Sequence, residues 1–383
     1  METDCTGREP DNSDDLARYF ARAAQARTPL AATFELTRRC NFRCVHCYLG
    51  DQQAIRQHRH QELDTDSVIR LLDEMVEAGT LFLTLTGGDP MLRPDFVRIY
   101  AHAVRIGLLV SVYCNGSLIT EEITEVFVQY PPRIAEITLY GATRKTFETI
   151  TQRRGSYADC MKGIALLHRA KVRLRLKSMA MTLNYEELPA MRKIAGDLGL
   201  SFRHDCSVIP ALPHEDNGSR INIRDTGKNG LRETLGFRLE PEQAAAVDFG
   251  AAEVKKKLQE LTAEKGAAAE PSTKLYQCGA GQASYHITSY GRMQPCLITL
   301  RPSVDLVAGE QRIADGWNTL CAQVEEQTVT TDFPCIECKD SKLCTGCPSR
   351  FFRETGSPEE PPSFYCHYAA CRRRGSSKET GLQ

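Results

Sequence analysis

The chain has 383 residues, 42% of them hydrophobic and 25% charged, with a formal net charge of −1. This is globular composition with length for one large domain and a smaller one, and the charge balance gives no electrostatic case for a nucleic-acid or anionic-membrane partner. No apolar run approaches the roughly 20 residues of a membrane-spanning helix, and the acidic, polar start "METDCTGREPDNSDDLARYF" lacks the basic and apolar regions of a signal peptide.

Residues 1–30 read as a polar lead-in with one helix. Short apolar runs then alternate with amphipathic stretches. "TFELT" (33–37) reads as a strand. "DSVIRLLDEMVEAG" (66–79) puts Val68, Leu71, Leu72, Met75 and Val76 on one helical face, with Gly79 as the stop. "LFLTLT" (81–86) is a strand, and "PDFVRIYAHAVRIG" (94–107) is a helix opened by Pro and closed by Gly. "LLVSVY", "IAEITLY" and "VRLRLKSMAMT" continue as strands, separated by the helical stretches "EEITEVFVQY" and "SYADCMKGIALLHRA". "LPAMRKIAGDLG" is a further helix, and "SFRHDCSVI" (201–209) a sixth strand. Six βα alternations imply a parallel sheet, open or part of a barrel. Segment 210–240, rich in Gly, Asn, Pro and charge, reads as an insertion or substrate-facing loop. Residues 240–269 read as largely helical before a linker, and the end "RRRGSSKETGLQ" as disordered.

Sixteen cysteines set the chemistry. In a reducing cytoplasm, the expected location, close cysteine spacing reads as metal or cluster ligation rather than disulfides. Three lie at 40, 44 and 47, and nine between 278 and 371. Cys5, Cys114, Cys160 and Cys206 stand alone and read as small buried or incidental thiols. The ends of the predicted strands carry loop-forming motifs: Cys40-x3-Cys44-x2-Cys47 after the first, Gly87-Gly88-Asp89-Pro90 after the second, Asn115-Gly116 after the third, Tyr140-Gly141 at the fourth. The C-terminal ends of parallel strands are where α/β enzymes build their sites. Three clustered thiolates can bind three irons of a four-iron cluster and leave the fourth iron open. A structural zinc site wants four ligands, and His46 is the candidate for the fourth, awkwardly adjacent to Cys47.

Cys40-x3-Cys44-x2-Cys47, with an aromatic side chain at His46, resembles the signature of the radical S-adenosylmethionine (SAM) superfamily. Gly87-Gly88-Asp89-Pro90 is similar to its glycine-glycine-glutamate-proline motif, with Asp89 in place of the usual glutamate. The resemblance spans about residues 33–210 and implies a partial (βα)6 TIM barrel. It implies that the cluster held by Cys40, Cys44 and Cys47 chelates SAM through its open iron. One electron then cleaves SAM to methionine and a 5′-deoxyadenosyl radical, which takes hydrogen from the substrate. By match to family positions, Gly87, Gly88 and Asp89 are expected at the methionine end of SAM. Thr138 is expected at its carboxylate or ribose, and Lys177 either at the carboxylate or as a solvated strand-end charge. His46, Tyr48 and Asn115 complete the expected cofactor-binding set.

A second pattern, Cys278-x12-Gly291-x4-Cys296, then Cys335-x2-Cys338-x5-Cys344-x2-Cys347, then Cys366, resembles the seven-cysteine SPASM domain, which binds auxiliary four-iron clusters. Two residues separate Cys344 and Cys347, where three are common. Taken alone, the Cys335–Cys347 block also reads as a zinc ribbon. The resemblance implies that Cys278, Cys296 and Cys347 hold one auxiliary cluster, and Cys335, Cys338, Cys344 and Cys366 the other. Two closed clusters need an eighth ligand, for which Cys321 and Cys371 are the spare candidates; otherwise one iron is open.

The expected division is a lead-in over 1–30, a radical SAM core over 31–210, an insertion, helix and linker over 211–275, a SPASM domain over 276–371 and a tail over 372–383. The expected function is that of a cytoplasmic radical SAM/SPASM maturase acting on a ribosomally made peptide or protein. The expected partners are a flavodoxin or ferredoxin as electron donor and, the lead-in being too short to grip a leader peptide, a separate leader-binding protein. Synthesis of haem-type or other small-molecule cofactors is the alternative, and a non-catalytic zinc or iron–sulfur protein the alternative of another class.

Overall fold

The structure is a computed structural model, and it describes residues 13–211, 234–263, 273–308 and 311–377. After helix α1 (Ser13–Gln25), strand β1 (Ala31–Thr37) leads into the cysteine loop and the short helix α2 (Gln52–Gln57). Then come α3 (Thr65–Glu77), β2 (Phe82–Gly87), α4 (Phe96–Arg105), β3 (Leu109–Cys114), α5 (Glu121–Gln129) and β4 (Ile134–Thr138). The core continues through α6 (Arg144–Thr151), α7 (Ser156–Arg169), β5 (Leu174–Met179), α8 (Leu188–Asp197) and β6 (Ser201–Asp205). Beyond it lie α9 (Pro241–Phe249), α10 (Ala252–Ala263), β7 (Ser284–Ile287), β8 (Arg292–Gln294), β9 (Val304–Asp305), α11 (Ile313–Glu325), α12 (Pro348–Thr355) and α13 (Ser363–Ser377).

Strands β1 to β6 run parallel in sequence order, as the alternation predicts. The sheet is an unclosed partial barrel. Phe34, Leu36, Leu85, Val112 and Ile137 are buried between it and helices whose apolar faces are spaced for it. In α3, Val68, Leu71, Leu72 and Met75 make that face, and Asp64 caps the helix by accepting the Ser67 N–H at 2.8 Å. Val76, predicted on the same face, is exposed.

Two expectations change. Residues 284–305, assigned from sequence to a separate C-terminal domain, extend the core sheet: β7 pairs in parallel with β1, and β8 and β9 follow antiparallel. The tail predicted as disordered is helical to Ser377. Its basic residues are held by tertiary partners, Arg372 by Asp248 and the Leu343 carbonyl, Arg373 by Asp340. Most of the 210–240 segment, Cys5 and the last six residues lie outside the described residues. No helix among the described residues is long and apolar enough to cross a membrane.

Candidate active site

The cysteine loop is fixed to its surroundings through its backbone. Cys40 N–H donates to Gln52 Oε1 at 2.6 Å, and Gln52 Nε2 returns a bond to the Arg38 carbonyl at 3.2 Å. Arg43 and Val45 donate to the carbonyls of Thr151 and Ile150 at the end of α6, both at 3.0 Å. On the other flank, Gly88 and Asp89 donate to the carbonyls of Thr37 and Arg39 at 2.8 and 3.0 Å. The β2 end is thus laced to the β1 end. A Cβ on Gly88 would stand 2.3 Å from the Arg39 carbonyl oxygen, and one on Gly87 would overlap that of Thr37. Gly88, expected at the methionine end of SAM, must be small whatever binds there, because the chain itself requires it.

These loops enclose a cavity of about 380 Å³. Cys40, Cys44, Cys47, His46 and Tyr48 line it, with Gly87, Gly88, Asn115, Thr138 and Lys177 from successive strand ends. Asp89 does not line it. Fully buried, its carboxylate accepts the backbone N–H groups of Met91 at 3.0 Å and Asn115 at 2.8 Å, and burial raises its pKa to about 6 against those bonds. The Asp89 carboxylate therefore braces the β2 and β3 loops from behind the wall. Lys177 is not a solvated charge. It stands 3.0 Å from buried Glu136 and 4.0 Å above the Tyr113 ring, and burial holds its pKa below the ordinary lysine value although Glu136 opposes. Cys114 lines the cavity; Cys160 and Cys206 are buried in the core.

Sequence reasoning named Asn115, His46 and Tyr140 but missed Asn41 and Phe42 and the bonds that tie them to the loop. Asn115 Nδ2 points at Cys40 Sγ, 3.7 Å away, and donates to Asn41 Oδ1 at 2.8 Å, while Asn41 donates to Ser117 at 2.8 Å. Phe42 N–H also reaches Cys40 Sγ at 3.4 Å. Tyr140 meets the His46 ring edge-on at 5.2 Å, and buried His46 Nδ1 has no partner. Burial lowers the imidazole to about 4, so the ring is neutral.

The donor set fits an iron–sulfur cluster. Burial pushes the Cys40 thiol up to about 12, with the Asp89 charge adding to it, and burial and neighbouring thiols push Cys44 well above its ordinary value. Such thiols ionise when a bound cation compensates them. A tetrahedral zinc draws its ligands to within about 4 Å of one another. Among the described residues the group of donors with all atoms within 4.8 Å is His204, Cys206 and Asp248, not the cysteine loop with His46. That spread disfavours zinc at the loop. When bound, a reduced four-iron cluster supplies the electron that cleaves SAM. The chain's part is to hold the sulfurs, direct N–H groups at Cys40 and wall off water.

The C-terminal cysteines form two neighbourhoods. Cys335 feels the charges of Cys338, Cys344 and Cys366. Tyr276, raised chiefly by burial, feels those of Cys296, Cys347 and Cys278. Cys296 Sγ lies 3.0 Å from Thr299 Oγ1, which meets Ser349 at 2.6 Å. The two spare candidates sit elsewhere. Cys321 is buried in α11 near Glu325 and Arg27, and Cys371 faces Glu242 and Arg374.

Residues 34–195 match the Radical SAM superfamily. An AdoMet-dependent heme synthase of Methanosarcina barkeri is 24% identical over 359 residues, 90% of this chain and 98% of the relative. The antilisterial bacteriocin subtilosin biosynthesis protein AlbA of Bacillus subtilis is 28% identical over 275 residues, 70% of this chain and 55% of the relative. Streptococcus suis SuiB, in a crystal structure with its precursor peptide SuiA, superposes with a TM-score of 0.62 at 15% identity, over 94% of this chain and 82% of SuiB. Residues 34–195 are thus a domain of the radical SAM superfamily, and the protein is an enzyme that uses SAM and four-iron clusters, with a cysteine-rich C-terminal region of the SPASM type.

Proposed function

We propose that this enzyme is a maturase that abstracts hydrogen from a side chain of a ribosomally made peptide or protein. The observation that carries the reading is convergence: the three cysteines of one loop and the ends of β2, β3, β4 and β5 line one cavity. Kinship to AlbA, and the likeness in fold to SuiB, seen with a precursor peptide, support the substrate class. Cys40, Cys44 and Cys47 hold the SAM-site cluster. Cys335, Cys338, Cys344 and Cys366 hold one auxiliary cluster and Cys278, Cys296 and Cys347 the other. The placement of Cys321 and Cys371 among other partners supports three cysteine ligands for the latter. The domain division is that given from sequence, redrawn so that 284–305 belongs with the core sheet. A ferredoxin or flavodoxin donates the electron, a separate protein presents the leader, and the reaction takes place in the cytoplasm, in keeping with free thiols at every described cysteine.

A second reading, conversion of a haem-type precursor, is favoured by the match over 98% of a heme synthase. One experiment separates the two. The anaerobically reconstituted enzyme is reduced with SAM and either a deuterated precursor peptide encoded beside its gene or a deuterated carboxylated tetrapyrrole. Deuterium in 5′-deoxyadenosine from the peptide supports the maturase, and from the tetrapyrrole the second reading. Deuterium from neither sinks both.

A further inference from the structure

A second chamber of about 390 Å³ adjoins the cavity on the β6 side, and Arg203, His204, Asp205 and Arg350 line both. No cysteine of the loop and neither Gly87 nor Gly88 lines it.

Its charge is unbalanced. In and directly behind the walls stand Arg175, Lys177, Arg203, Arg350 and Arg372, against the carboxylates of Glu136, Asp205 and Asp248. Cations therefore outnumber carboxylates five to three. Glu136, completely buried, is shared by three of the cations: Arg203 Nε at 2.7 Å, Lys177 at 3.0 Å and Arg175 at 3.2 Å. Arg350 has no carboxylate within hydrogen-bond reach, and its charge also acts on the Cys347 thiol. Its Nη1 donates to the Thr345 carbonyl at 2.8 Å, but its Nη2 stands 3.8 Å from Asp205, outside hydrogen-bond reach. The Asp205 carboxylate is turned to the Ser207 N–H instead, at 2.7 Å. A largely buried guanidinium with donors to spare, beside another whose counter-charge is divided three ways, is built to receive an anion.

The same chamber contains the compact donor group His204, Cys206 and Asp248. It does not suit a metal ion. Asp248 already accepts from Tyr368 at 2.6 Å, Arg372 at 2.8 Å and His204 at 2.9 Å, and the Arg372 guanidinium occupies the place where a cation would need negative charge. These contacts fasten β6 to α9 and α13 and stiffen the chamber wall.

We propose that Arg350 and Arg203 form a subsite for a carboxylate carried by the substrate. The substrate is anchored by this acid group in the second chamber while the carbon that loses hydrogen lies in the first, between the cysteine loop and the apolar wall of Val208, Ile209, Leu297 and Ile298. The inference rests on the reading of the first cavity as the reaction chamber.

A glutamate-bearing peptide and a carboxylated tetrapyrrole both offer this group, and the test tells them apart. The reconstituted holoenzyme is titrated anaerobically with iron coproporphyrin III and its methyl ester, and with a short glutamate-containing peptide and its glutamine counterpart. In one pair the acid is expected to bind about tenfold or more tighter than its neutral partner, and that pair names the source. R350Q is expected to remove most of the difference. R350K, which keeps the charge and loses the planar fork, retains part of it. Equal affinity within both pairs, no binding by any probe, or acid selectivity that survives R350Q overturns the subsite. The acid–neutral comparison on the unsubstituted protein decides even if R350Q does not fold. SAM cleavage by the unsubstituted protein is scored separately. Its absence alongside acid-selective binding strikes the radical reading and spares the subsite. Its presence without acid selectivity strikes the subsite alone.

Discussion

The two cysteine regions are built differently. The loop after β1 draws its three cysteines from eight consecutive residues and pins them between β2, α2 and α6 by backbone hydrogen bonds, against one cavity. The C-terminal cysteines are interleaved. Cys344 and Cys347 lie three positions apart yet fall in different neighbourhoods, and Cys347, which follows β9 and α11 in the chain, feels the charge of Cys296, which precedes them. Cys278 and Cys366 are exposed. A local site is set by spacing and a rigid sheet edge. An interleaved one is set by tertiary placement, and its thiols draw distant segments together once their metal binds.

The sharpest way to break this contrast is to remove each region's cysteines in turn. Changing Cys40, Cys44 and Cys47 together to Ala is expected to abolish 5′-deoxyadenosine formation while leaving about eight of about twelve irons per chain. Full cleavage activity in the triple variant would refute the loop's role. Changing Cys335 and Cys338 to Ala is expected to lower iron by about four per chain and loosen the C-terminal region to proteolysis, with dithionite-driven SAM cleavage retained. Loss of all cleavage there would show that the two regions act as one.

Gly88→Val comes next. Because its side chain would strike the Arg38 and Arg39 carbonyls, the expected loss is of fold as well as SAM affinity, with thermal stability down by several kcal/mol. A normal melting temperature with weakened SAM binding would show instead that the position is kept small for SAM. Asp248→Asn is a smaller test. Burial raises the Asp248 carboxyl, but His204, Arg372 and Tyr368 outweigh it and hold it below the ordinary range. A depressed carboxyl stabilises the fold above its unfolded pKa, and that stability is lost as pH falls through the folded value. The wild type should therefore lose stability below about pH 4, and the variant should show a shallower acid slope. Parallel slopes in acid denaturation would deny the latch. The smallest effects are expected from Cys321→Ala and Cys371→Ala, neither of which should alter the Mössbauer signature of the Cys278, Cys296 and Cys347 cluster.

Much of this was legible in the sequence because the strands are short apolar runs and the loop motifs sit at their ends. α6 was not read: "RKTFETIT" offers only Phe147 and Ile150 as apolar anchors, and its role, receiving the Arg43 and Val45 N–H groups, is tertiary. The depth at which the Asp89 carboxylate is buried, and its bracing of two loops, are invisible in the letters. Gln52 and Asn115 bear no mark of their bonds to the cysteine loop. The arginine-rich tail read as disordered because Asp248 and Asp340, which bind it, are far away in sequence.

The pairing of β7 with β1 also bears on how the chain is made. The strand that carries the cysteine loop waits for residue 284 before its outer edge is covered, and at roughly 5–20 residues per second a ribosome needs ten seconds or more to deliver it. Until then the nascent sheet presents an open edge of the kind that recruits other chains. A chain ended at residue 280 is expected to aggregate on synthesis, and its recovery as a soluble monomer would show that the edge is shielded by some other means. The yield of folded enzyme is therefore expected to depend on how long that edge stays open, before any iron arrives.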